Sequence, residues 1–312
     1  MDNNPTKRSH FLPQMVLNRF TDESDGLVWV YDRETDTYRK QNVINTAVIN
    51  NYYKYFGKDG EYHNDLEGFF STIEGEAKTP IDKFGKQESL NNSEKERLAV
   101  YVAYQRVRVP HFANQMQVLS DKLYKAVNKR IFYNEEQAKH LIEKYNKDKN
   151  KNIELDPKVF LETIQDENYK MIESREYEIE MMLKSGLDHI NYFMQMDWKI
   201  IFSPNNGAFI TSDNPFVLFS PTEHNPFGGV GIITKGAVKA IPLSKDFYLA
   251  IFDKGNELGF YKCDRKHCRH INDTVALNCD RFVYSHSKEL LKSVVERVKL
   301  KERVKKDSVV VG

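Results

Sequence analysis

Residues 198–253 decide the fold class. They break into five short runs: WKIIFS (198–203), AFITS (208–212), FVLFS (216–220), VKAIPLS (238–244) and FYLAIFD (247–253). Each run is rich in β-branched and aromatic residues, and Asn, Gly and Pro stand between them. That is the pattern of strands joined by turns, here a largely antiparallel sheet. NPFGGVG (225–231) is a glycine-containing connection inside it. After the sheet runs come a short helix predicted at about Arg269–Asn278, a strand RFVYS (281–285) closing the sheet, and a last amphipathic helix capped by Ser287.

Upstream the period changes. From about Asp65 to Met196 apolar residues recur at helical spacing: Leu66, Phe69, Phe70 and Ile73 first, then Leu98, Tyr101 and Val102. Ser93 with Glu96 reads as a capping box, and Asp156-Pro157 as a second helix start. Pro110 should break the helix before it. A long helix through Met171, Ile179, Met182 and Leu183 is expected to break near Gly186. At the start of the chain, Pro13 suits the first turn of a helix over residues 14–20. LVWVYD (27–32), a polar turn, and a run around Tyr38–Val43 suggest a β-hairpin. Hairpin, helices, then sheet is an α+β order rather than a βαβ alternation. The expectation is one α+β domain over residues 1–312. Its helical part covers about 65–196, its sheet-rich part about 197–286 and its terminal helix about 287–306, all sharing one core.

Composition narrows the function classes. The chain has 312 residues, 40% apolar and 29% charged, which is a globular balance rather than a disordered one. A net charge of +1 lacks the basic excess of a dedicated nucleic-acid domain, leaving only a local basic groove. Three cysteines, an odd number, point to a reducing compartment, and MDNNPTKRSHFLPQ has no apolar signal-peptide region. With no bilayer-length apolar run, the expectation is a cytoplasmic protein without a membrane partner. The chain carries no Walker loop, G-x-G-x-x-G, H-E-x-x-H or G-x-S-x-G.

The polar residues that stand out are few. Gln105 and Arg108 fall on the apolar stripe of their helix, one turn apart. Such a pair needs partners. Either it makes a structural hydrogen bond or ion pair, or Arg108 lines a cleft and holds an anion. Ser212, Asp213 and Asn214 join two strands. They are good turn chemistry, and they equally suit the presentation of polar groups to a ligand. His10 has the reference pKa of a general acid or base. Glu74, one turn from Lys78, is explained by an ion pair along the helix. Cys263, His267, Cys268 and His270 are the single cluster of metal-ligand types, but their spacing does not match a zinc site. No metal centre and no cofactor are expected; a divalent cation is compatible. The basic last helix, with Lys292, Arg297, Lys299, Lys301, Arg303, Lys305 and Lys306, reads as a solvated face or a phosphate contact.

An ordered set of residues resembles a bacterial family, domain-of-unknown-function family 4238. The set is His10, Pro13, Leu17 and Phe20; Tyr52–Tyr53; Glu74; Gln105-x-x-Arg108-x-Pro110; Ser212-Asp213-Asn214-Pro215; and Ile241-Pro242-Leu243-Ser244. The resemblance covers about His10 to Ser285. It implies a single domain and draws attention to His10, Gln105, Arg108 and Asp213. It brings no reaction, cofactor or substrate. Where family members commonly have arginine–threonine–proline, this chain has Arg108-Val109-Pro110 and loses a hydroxyl.

Two functions fit. One is a nuclease-like hydrolase of phosphodiesters or nucleotides in a defence or toxin setting. His10 would be its acid–base group, Arg108 its phosphate stabiliser and Asp213 the group that orients the base or holds a cation. Gln105, Ser212 and Asn214 would bind substrate. The alternative is a non-enzymatic ligand-binding or regulatory module, its polar clusters either structural or binding a ligand without turning it over.

Overall fold

The computed structural model describes residues 8–57, 59–219, 231–255 and 257–301. The NPFGGVG connection up to Val230 and the end of the basic segment, with Arg303, Lys305 and Lys306, lie outside them. β1 (Arg8–His10) and α1 (Gln14–Leu17) lead into the hairpin β2 (Val28–Asp32) and β3 (Thr37–Gln41). β4 (Val48–Asn50) follows, then a small ribbon of β5 (Tyr55–Phe56) and β6 (Tyr62–His63). Six helices come next: α2 (Asp65–Gly85), α3 (Asn92–Val107), α4 (Pro110–Ile131), α5 (Glu135–Lys149), α6 (Pro157–Gln165) and α7 (Arg175–Met194). The remainder is β7 (Met196–Phe202), β8 (Thr211–Ser212), β9 (Val217–Phe219), β10 (Val238–Pro242), β11 (Phe247–Lys254), β12 (Leu258–Lys262), α8 (Arg265–Leu277), β13 (Phe282–Ser285) and α9 (Lys288–Arg297). The architecture is α+β, as expected.

Two compact units form. One takes residues up to Ala113 and from Arg175 onward; the other is Asn114–Ser174. In the second, Asp156 caps α6 through Lys158 N–H at 2.8 Å, with Pro157 at the first helical position. The Phe132 and Phe160 rings meet edge-on. Met171 is not helical. Its N–H is held by the Asp121 carboxylate at 2.7 Å, and α7 starts only at Arg175.

The first unit holds both larger sheets. One has strand order β12-β7-β11-β10-β9 and is antiparallel except for β12, which runs parallel to β7. The other has the order β3-β2-β13-β8. RFVYS therefore does not close the C-terminal sheet. It pairs antiparallel with β2 of the N-terminal hairpin, Val283 opposite Tyr31 and Tyr284 opposite Val30. Nothing local distinguishes the two destinations, since the residues in either case are buried. One core joins the sheets: Tyr31 and Val283 from one, Tyr248 and Ala250 from the other, with Ile271 and Val275 of α8 and Leu291 and Val294 of α9.

Three local expectations shift. The capping box belongs to Asn91 and Glu94, two residues before the Ser93–Glu96 pair. Glu94 also reaches Lys83 of α2 at 2.6 Å, and that tertiary contact favours the earlier start. α7 runs unbroken through Gly186. A Cβ there would lie 2.7 Å from Tyr104 Cδ1, so the glycine lets α3 and α7 approach instead of ending the helix. α9 stops at Arg297, short of residue 306, and Lys299 then takes a left-handed backbone (φ 51°). Pro110 separates α3 from α4, as expected. Among the described residues no helix is long and apolar enough to cross a membrane.

Candidate functional site

β1 pairs with β4, setting His10 opposite Val48. His10 Nε2 lies 3.2 Å from the Ile44 carbonyl. A carbonyl only accepts, so Nε2 carries the hydrogen and Nδ1 the lone pair of the neutral ring. Burial pushes the His10 pKa down. The Ile44 bond opposes this, the Arg8 and Arg108 charges assist it, and Glu74 works against it.

Gln105 and Arg108 are 1% and 2% exposed at the end of α3. Gln105 Nε2 donates to the Phe11 carbonyl at 3.0 Å, and its Oε1 accepts from Arg108 Nε at 3.1 Å. Arg108 Nη1 donates to Glu74 Oε1 at 2.8 Å, and its guanidinium sits 5.1 Å above the centre of the Phe70 ring. Glu74 thus turns to Arg108; among the described residues no ion pair joins it to Lys78. Glu67 lies two turns before Glu74 along α2. Burial pushes its pKa up; the Ser9 hydroxyl and the Arg108 charge oppose, and Glu74 adds to the rise. Arg108 Nη2, Ser9 Oγ and Glu67 Oε1 are buried without a hydrogen-bond partner of normal geometry. Buried polar atoms are almost always paired, so these three mark a neighbourhood that could take a further polar group.

The Ser212–Pro215 turn is built differently. Asp213 is 6% exposed. Its Oδ1 accepts from Asp280 N–H at 2.9 Å and its Oδ2 from Arg281 and Phe282 N–H at 2.7 and 2.8 Å. Burial pushes its carboxyl up to about 6, with the Asp280 charge adding, although the three N–H donors favour the anion. Ser212 Oγ donates to the Asn214 carbonyl at 2.9 Å. Asn214 Nδ2 donates to the Asn278 carbonyl at 3.0 Å, and Asn278 Nδ2 returns a bond to the Asn214 carbonyl at 3.2 Å. These side chains fasten the turn to the segment between α8 and β13.

The structure therefore brings His10, Gln105 and Arg108 together and leaves Ser212, Asp213 and Asn214 in a second group. What joins the two neighbourhoods is a residue pair that the sequence reading passed over. His111, next to Pro110, donates Nδ1–H to Asp280 Oδ1 at 2.6 Å. Asp280 in turn is held by Asp213. A cleft of about 300 Å³ opens here, lined among others by Phe11, Pro110, Asp213, Asp280 and Phe282. Glu67 and Ser9 were also missed. The signal for Glu67 was its seven-residue spacing from Glu74; for Ser9, His111 and Asp280 there was none beyond residue type.

The remaining candidates are occupied locally. His267 Nε2 and the Tyr248 hydroxyl are 2.6 Å apart, and the Cys268 thiol donates to the Ala208 carbonyl at 3.6 Å. Among the described residues no three His, Cys, Asp or Glu side chains gather as a metal site. In the basic terminal segment Arg297 pairs with Asp273 and Lys301 with Asp36.

The sequence pattern of a family described as "Protein of unknown function (DUF4238)" matches residues 8–289. No curated protein and no solved structure matches the chain.

Proposed function

We propose that this chain, which belongs to the DUF4238 family, is a hydrolase of phosphodiester or nucleotide substrates whose acid–base pair is His10 and Glu67. One observation carries the reading. Beside a single buried arginine stand a histidine whose pKa is pushed down and a carboxyl whose pKa is pushed up. Each environment favours the neutral form, an imidazole that can take a proton and a carboxyl that can give one. His10 Nδ1 would take a proton from the attacking water. Glu67 would be the proton donor to the leaving oxygen. Arg108 Nη2, which lacks a partner, supplies N–H donors for the charged phosphoryl oxygens. The three cysteines are free thiols, which suits a reducing compartment, and we assign the protein to the cytoplasm.

A second reading also has an observation behind it. Arg108 is already neutralised by Glu74, and Asp213 is held by three backbone donors. That is what a non-enzymatic binding module with structural polar clusters would contain.

The test is turnover. Purified protein is incubated with mixed RNA, DNA and nucleotides, with and without a divalent cation, beside His10→Gln and Glu67→Gln. Loss of a general acid or base lowers turnover by roughly a hundredfold to ten-thousandfold. Wild-type protein without turnover, or variants as active as wild type, would refute the hydrolase and leave the binding module.

A further inference from the structure

We infer that the cleft beside Asp280 binds a planar heterocycle carrying an exocyclic amino group, a ligand of the nucleobase class. This deepens the hydrolase reading, on which it rests for the identity of the whole substrate, by saying which part of a nucleotide the cleft would take.

The size and lining come first. About 300 Å³ is at the lower end of small-ligand pockets and suits a flat ring system. The walls are mainly apolar: Phe11, Val30 and Tyr284 are buried among them, and the guanidiniums of Arg39 and Arg281 lie 5.3 and 4.8 Å from the centre of the Phe282 ring. Rings and guanidinium planes are the surfaces on which bases stack.

Charge then selects the ligand. Two arginines would suggest a phosphate, but both are drawn to Asp32. Arg281 grips that carboxylate at 2.9 and 2.7 Å and also reaches Glu34 at 2.7 Å, and Arg39 approaches Asp32 at 3.4 Å. Their charge is balanced before any ligand arrives. What the cleft adds is the Asp280 carboxylate. Its Oδ1 is bound by His111, and its second oxygen has acceptor capacity for an N–H donor. An amino group on a ring satisfies that acceptor; a phosphate would be repelled by it.

The acceptor is also held in position. Asp213 binds the N–H groups of residues 280, 281 and 282 together, fixing the backbone that carries Asp280. Finally, the cleft adjoins the acid–base cluster. Phe11 lines it while its own carbonyl accepts from Gln105, and Pro110 lines it two residues after Arg108.

The experiment is calorimetric titration of the full chain with adenosine and with purine riboside, which differs only in lacking the amino group. Adenosine should bind at least tenfold more tightly, the effect of one hydrogen bond to a carboxylate. Asp280→Asn should weaken adenosine by a similar factor. Equal binding of the two nucleosides, or no binding of adenosine at millimolar concentration, overturns the inference. Because the comparison uses wild-type protein, it decides even if Asp280→Asn fails to fold. Nucleosides carry no phosphate, so a failure here leaves the hydrolysis assay standing, and adenosine binding without hydrolysis would leave the cleft standing.

Discussion

Replacing Asp213 with Asn sets two forces against each other. Burial disfavours the carboxylate, while three backbone N–H groups at 2.7–2.9 Å favour it. If burial wins, the carboxyl titrates at about 6 in the fold against 3.8 in the free side chain. A folded pKa raised in this way stabilises the protein below the unfolded value. That stability is lost as pH rises through the folded value. The loss runs from about pH 4 to 6. Roughly two pKa units at about 1.4 kcal/mol each come to about 3 kcal/mol. Asparagine mimics the protonated carboxyl in shape and charge and cannot ionise. The variant should therefore gain on the wild type as pH rises from 4 to 7, by about 3 kcal/mol. Urea denaturation of both proteins at steps across that range, followed by circular dichroism, reads the difference while other titrating groups cancel. If the variant instead falls behind as pH rises, the N–H donors hold the carboxylate ionised and the reasoning is wrong.

Two further outcomes follow from packing and ligation. Gly186→Ala should lower the melting temperature, because the new Cβ would lie 2.7 Å from Tyr104 Cδ1 and closer still to Cε1. Overpacking of about 1–3 kcal/mol exceeds the roughly 1 kcal/mol gained in helix propensity, and a rise in Tm would contradict that balance. Chelation with EDTA should leave Tm unchanged, since His267 is engaged by Tyr248 and Cys268 by Ala208. A drop of several degrees together with bound zinc in the purified protein would overturn that expectation.

Much of the fold was legible because its signals are short-range. Asp156-Pro157 and Ser287 start helices through bonds to N–H groups two or three residues on. Pro110 lies where one helix stops and the next begins. Gly186 was misread because a glycine in a helical pattern permits either a break or a close approach, and only the partner helix distinguishes them. Asn91 and Ser93 each have a glutamate three residues on, so the sequence offers two capping boxes. The Lys83 contact belongs to another helix and favours one.

The site divides along the same line. The Gln105–Arg108 pair was visible from helical spacing, because an amide and a charge on an apolar stripe demand partners wherever the chain goes. Which partners they meet was not visible. Arg108 finds Glu74, 34 residues away, and His111 finds Asp280, 169 residues away. RFVYS could be read as a strand, but its neighbour was set by the path of α8 and by the shared core. By itself, then, the sequence determined element types, the α+β class and which buried polar groups needed satisfying. Those depend on periodicity and on neighbours a few residues apart. The tertiary structure alone decided strand pairing and the union of polar groups into a cluster and a cleft, because hydrogen bonds between distant segments depend on how the whole chain packs.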